Sequence, residues 1–140
     1  MPENDIRKEK IVKALTIWEP YASSIANGKK KYETRTWKTN YRGPIVIHAS
    51  ARKMSKEHVA LAQKVGIINP KYSRVVAIAD LIDCIQMTED FISKQNTTEI
   101  SLGNWHVGNY AWKLDNVKII NSEEIIKGQQ GMWNLKNFNF

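Results

Sequence analysis

The sequence predicts one α+β domain of about six strands with two to three helices packed outside, in the manner of a small barrel. Three observations carry this. Apolar residues fall mostly into short runs with the two-residue period of strands. The few stretches with helical spacing follow no regular β-α-β alternation. The chain has 140 residues, 42% of them hydrophobic, enough for one domain with a real core.

The elements follow in order. Residues 1–10 are polar and read as a flexible tail, and residues 11–140 as a single domain. Ile11–Ile17 is a largely buried strand. Pro20 suits the start of a short helix, Pro20–Asn27, and Gly28 its end. Lys31–Trp37 is a second strand, with Glu33, Arg35 and Trp37 on one face and Tyr32, Thr34 and Thr36 on the other. The tract K-T-N-Y-R-G-P is a loop closed by Gly43-Pro44. Ile45–Ala49 is a third strand. Ser55 caps a helix reaching Val65, with Gly66 as its stop and His58, Leu61, Ala62 and Val65 facing inward. Arg74–Met87 is a long strand, suited to bending around a barrel. Thr88–Gly108 reads as irregular, with one short helix near Asp90–Lys94. Tyr110–Leu114, Val117–Ile120 and the tail M-W-N-L read as strands.

Charge is the unusual property. The net formal charge is +7 and it is unevenly placed: residues 1–74 carry 16 Lys/Arg against 6 Asp/Glu, and residues 75–140 carry 5 against 8. Such polarity steers polyanions toward one side of a molecule. Cys84 is the single cysteine and sits in an apolar run, so no disulfide within the chain is available. Its three histidines and one cysteine lack zinc-site spacing, and neither a metal nor a cofactor is expected. No apolar stretch approaches a membrane span, and a cytoplasmic protein is the default.

The densest chemistry lies in G-K-K-K-Y-E-T-R, Gly28 to Arg35, which sets four cations around one carboxylate. From Lys29 to Lys56 there are nine Lys/Arg and one acid, Glu33, with Trp18, Tyr21, Tyr32, Trp37 and Tyr41 interleaved or adjacent. Cations that hold phosphate and rings that stack on bases are the ingredients of a nucleotide or nucleic-acid site. A solvated basic face is the alternative.

The pattern I-W-E-P-Y-A-x-x-I-x-x-G-K-K-x-x-E-T-R-T-W, followed by Y-R-G-P-I-V-I-H-A-S-A-R, resembles the ASCH family (activating signal cointegrator homology), whose domains have a PUA-like fold. The family mark G-x-K-x-x-E-x-R corresponds to Gly28, Lys30, Glu33 and Arg35. The resemblance implies a β-barrel with a motif-lined cleft between barrel and helices, and work on RNA or a nucleotide. ASCH domains have been linked to RNA binding, to ribonuclease activity and to deacylation of acetylated cytidine. In the deacylating members the motif lysine is a base assisted by a threonine three residues on. Lys30 matches that lysine, whereas Glu33 takes the threonine's position, with Thr34 beside it.

As chemistry, Lys30 is either a base whose pKa is lowered by neighbouring cations and burial, or a phosphate-holding cation. Glu33 could orient Lys30 or Arg35, act as an acid or base, accept a base's exocyclic amine, or serve as a salt-bridge partner. Arg35 and Arg42 are bidentate phosphate donors, though Arg42 could equally be loop scaffolding. Trp18, Tyr21, Trp37 and Tyr41 are candidate stacking rings, while Trp105, Trp112 and Trp133 suit the core. His48 and Ser50 have the parity to face a cleft if Ile45 and Ile47 face the core; a structural histidine is the alternative. Asp80 and Asp83 have opposite parity, so at most one could join that cleft. The expected function is binding of RNA or a nucleotide-like ligand. Hydrolysis of an acylated nucleoside or of RNA with Lys30 as base, and docking of an acidic protein, are the alternatives.

Overall fold

A computed structural model describes residues 9–140. The expected tail thus lies outside the described residues, apart from Glu9 and Lys10. The elements are β1 (Ile11–Ile17), α1 (Tyr21–Ala26), β2 (Tyr32–Arg35), β3 (Gly43–Ala49), α2 (Lys56–Val65), β4 (Val75–Gln86), α3 (Glu89–Ser93), α4 (Thr97–Ser101), β5 (Tyr110–Ile119) and β6 (Met132–Lys136). The α+β architecture is as expected, with four short helices.

The strands form one sheet in the order β2-β5-β4-β3-β1-β6. β1 runs parallel to β3, and all other neighbours are antiparallel. Among the described residues no ladder joins the edge strands β2 and β6, so the sheet does not close into the expected barrel. The cause at one edge is visible. β2 is only four residues long, and the loop after α4 covers it, with the Asn104 N–H donating to the Thr34 Oγ1 at 2.8 Å.

Both faces of the sheet are apolar, which follows from the near-continuous hydrophobic runs of β1, β3 and β4. On one face Leu15, Ile17, Ile45, Ile47, Ala77 and Ala79 pack with Ala22 and Ile25 of α1. On the other, Ala14, Val46 and Val75 pack with Trp133, Leu135 and Phe138, and Ile120 and Ile126 close over them. A third cluster, Ala62, Val65, Ile67 and Leu102, seats α2 against the loop after α4. Ser55 caps α2 by accepting from the His58 N–H at 3.1 Å, and Gly66 ends it in the left-handed conformation (φ 79°).

Two buried carboxylates hold the loops. Glu19 is 1% exposed and accepts from the Ser23 N–H (2.9 Å), the Ser23 hydroxyl (2.5 Å) and the Lys71 N–H (2.7 Å). It thereby joins α1 to the segment before β4. Glu99 of α4 is 3% exposed and accepts from the Lys31 N–H at 2.8 Å and the Tyr32 N–H at 3.3 Å, fixing where β2 begins. A carboxylate removed from water needs such donors, and each of these has two or three.

Candidate functional site

Lys30 sits in the turn between α1 and β2. The Lys29 and Lys30 N–H groups both donate to the Ser24 carbonyl, at 2.9 and 3.0 Å, which turns the Lys30 side chain inward. It is 2% exposed. Its Nζ donates to the Leu102 carbonyl at 2.5 Å and lies 3.7 Å from the Glu33 Oε1. Burial pushes the Lys30 ammonium below the usual lysine range, while the Glu33 and Glu99 carboxylates oppose that shift. The second Glu33 oxygen accepts from the Arg35 Nε at 2.9 Å. Strand alternation places Glu33 and Arg35 on one face of β2, so one carboxylate joins a buried cation to a half-buried one.

Glu33 and Arg35 open onto a cleft of about 550 Å3 between the end of β1, α1, β2 and the loop after α4. Thr16, Trp18, Tyr21, Thr34 and Asn104 complete most of its wall. Burial and then the Glu33 charge push the Tyr21 hydroxyl above the usual tyrosine range, so it stays a neutral donor. The Thr34 oxygen already accepts from the Asn104 N–H, which leaves its hydroxyl hydrogen to donate. Gly103 permits this approach: a Cβ there would lie 2.9 Å from Thr34 Cγ2 and from Trp105 Nε1. Trp18 is 43% exposed at the mouth, with the Arg52 guanidinium 3.7 Å from its ring centroid.

The structure therefore brings Trp18, Tyr21, Glu33 and Arg35 together, with Lys30 directly behind Glu33. Ser50 lines an adjoining groove. Four other candidates lie elsewhere. Trp37 packs edge-on against Trp112, centroids 4.7 Å apart, and stands outside the cleft. Tyr41 donates to the Pro44 carbonyl at 2.6 Å and packs on the core. Arg42 donates to the Thr39 and Tyr41 carbonyls, holding its own loop. His48 is fully buried on the second core face, bonded to the Thr16 Oγ1 (3.0 Å) and the Ile126 carbonyl (2.8 Å). Its expected cleft position fails because both sheet faces are buried, so opposite parity to Ile45 and Ile47 leads to another core. Neither Asp80 nor Asp83 lines the cleft. Asp80 accepts from the Asn116 side chain and Asp83 from the Cys84 N–H.

Thr16, Asn104 and Glu99 are site residues that sequence reasoning missed. For Glu99 a signal existed: N-T-T-E, Asn96 to Glu99, has capping-box spacing, and Asn96 does accept from the Glu99 N–H at 2.8 Å. Among the described residues no three of His, Cys, Asp and Glu converge as metal ligands would. No described helix is long and apolar enough to cross a membrane.

The family model of the ASCH domain matches residues 15–128, which contain all four motif residues and every residue of the cleft wall. The chain belongs to the ASCH family. No curated protein matches it as a relative. In this ASCH domain the motif Gly28, Lys30, Glu33 and Arg35 builds one connected feature: the turn, the buried cation, the carboxylate of the cleft and the cation beside it.

Proposed function

We propose that this ASCH domain binds single-stranded RNA or a nucleotide-like ligand, with a base in the cleft lined by Trp18 and Tyr21. The observation that carries this reading is Trp18, an indole left 43% exposed at the mouth of a cleft that presents a carboxylate and a guanidinium. Exposed aromatic rings beside cations are stacking platforms for unpaired bases. The Glu33 carboxylate suits an exocyclic amine, and the Thr34 hydroxyl a ring nitrogen or carbonyl. Arg35 spends its Nε on Glu33, and its terminal nitrogens suit a phosphate. A PUA-like arrangement, as in the family, accords with a cleft of this kind beside the sheet.

The hydrolase reading has one observation in its favour, the lowered Lys30 pKa. It needs a neutral amine that reaches the substrate. Lys30 instead lies behind Glu33, donating to Leu102, and is absent from the cleft wall. Binding is therefore the reading the geometry favours. Docking of an acidic protein would use the same cations and leave the cleft rings without a role.

The test is fluorescence anisotropy with a labelled single-stranded RNA hexamer. Trp18→Ala should weaken binding by roughly tenfold, since one stacked base is worth about 1–3 kcal/mol. Unchanged affinity in that variant, with its fold intact by circular dichroism, would remove the cleft from the account.

A further inference from the structure

The cleft continues past Trp18. An adjoining groove of about 620 Å3 shares Thr16, Trp18 and Arg35 with it and runs on between the Ser50–Ala51 turn and residues 127–131. Its lining residues include two cations, Arg35 and Lys127, and no carboxylate. Arg52, stacked on Trp18, adds a third cation at the junction.

The far wall is fixed from beneath. The Thr16 Oγ1 accepts from the Trp133 Nε1–H at 3.0 Å and from the Gln129 N–H at 3.3 Å. Its own hydrogen is then free for the His48 Nδ1 at 3.0 Å. That leaves the His48 Nε2 as the donor to the Ile126 carbonyl. Gly128 closes the arrangement: a Cβ there would lie 2.6 Å from Thr16 Cγ2 and 3.2 Å from His48 Cε1. Segment 126–129 is thus drawn onto β1 and β3, with Lys127 exposed between two anchored residues.

We propose that this groove is a subsite for the nucleotide next to the one in the cleft, so that the ligand is a single-stranded polynucleotide rather than a lone nucleoside. The inference rests on the nucleotide-binding reading given above. The strand crosses the domain at Trp18, with its following phosphates on Arg35 and Lys127 and with Arg52 at the crossing. Two cations along a groove whose lining has no carboxylate, with Arg52 a third at its junction with the cleft, match a chain of phosphates better than a single one.

The experiment compares the four nucleoside 5′-monophosphates with the corresponding homotrinucleotides by isothermal titration, on the intact chain, at several salt concentrations. The best trinucleotide should bind at least ~10-fold more tightly than its monophosphate, and its log–log salt slope should be steeper by about 1.4 for two further phosphates. In the double variant Arg52→Ala/Lys127→Ala, both exposed positions, that preference should collapse toward the factor expected from counting bases. Equal affinity for monomer and trimer, or a preference that survives the double change, overturns the subsite and leaves the cleft reading standing. Failure of both ligands to bind overturns the subsite and the cleft reading together.

Discussion

Glu33 stands between Lys30 and the open cleft, one carboxylate oxygen 3.7 Å from the lysine Nζ and the other 2.9 Å from the Arg35 Nε. The Lys30 and Glu33 side chains are 1% and 9% exposed, so solvent screens this pair little. Removing Glu33 takes the nearest counter-charge from the buried Lys30 ammonium, whereas removing Lys30 leaves Glu33 still paired with Arg35.

Glu33→Gln should therefore destabilise the domain by about 3–5 kcal/mol, and adding Lys30→Met should recover part of the loss. Urea unfolding of the two single variants and the double variant measures the coupling. A Glu33→Gln cost near zero, or a double variant as unstable as the sum of the singles, would show that the pair does not act as a unit.

The elements of this fold were largely legible because they depend on local pattern. Ile11–Ile17 is found as read, and Ser55 and Gly66 bound α2 as their chemistry requires. The pairing of Glu33 with Arg35 follows from strand parity alone. What was not legible depends on partners distant in the chain. Thr97–Ser101 read as irregular since five residues give no period, yet Glu99 fixes the start of β2 from 68 residues away. β5 read as two strands split at Asp115-Asn116. It runs through because Asn116 takes a positive φ of 52° in a bulge opposite β4. The parity of His48 leads to a cleft only where one sheet face is open; here the strap carrying Ile120 and Ile126 buries that face.

His48 gives a prediction in pH. Burial holds its imidazole below the ordinary value of 6.5, so below that pH the unfolded chain binds a proton that the folded one refuses. This histidine's contribution is complete above 6.5, is lost as pH falls through 6.5 toward the folded value, and then levels off. The slope is at most about 1.4 kcal/mol per pH unit. His48→Gln should be less stable at pH 7.5 but should lose less stability than the parent between pH 6.5 and 5. Parallel curves for the two proteins would contradict this.

Glu33→Gln separates charge from recognition. The change keeps shape and raises the local positive potential, so charge alone predicts tighter, indiscriminate RNA binding. If the carboxylate meets a base edge, or fixes Arg35 for one, the ranking of the four homopolymer RNAs should flatten even where affinity rises. An unchanged ranking with a lower melting temperature would reduce Glu33 to a salt-bridge partner.

Gly103→Ala tests the wall of the cleft. The new methyl would meet Thr34 and Trp105 at 2.9 Å, contacts that must be relieved by moving the loop off β2. A cost of about 1–3 kcal/mol is expected, together with weaker ligand binding. Full stability with full binding would show that the loop yields without consequence.

The most direct test of nucleic-acid binding is the affinity of the unaltered chain for a single-stranded RNA hexamer across a salt series. If three to five phosphates are neutralised, log affinity should fall against log salt with a slope of about −2 to −3.5. A flat response, or no binding at low salt, would contradict it.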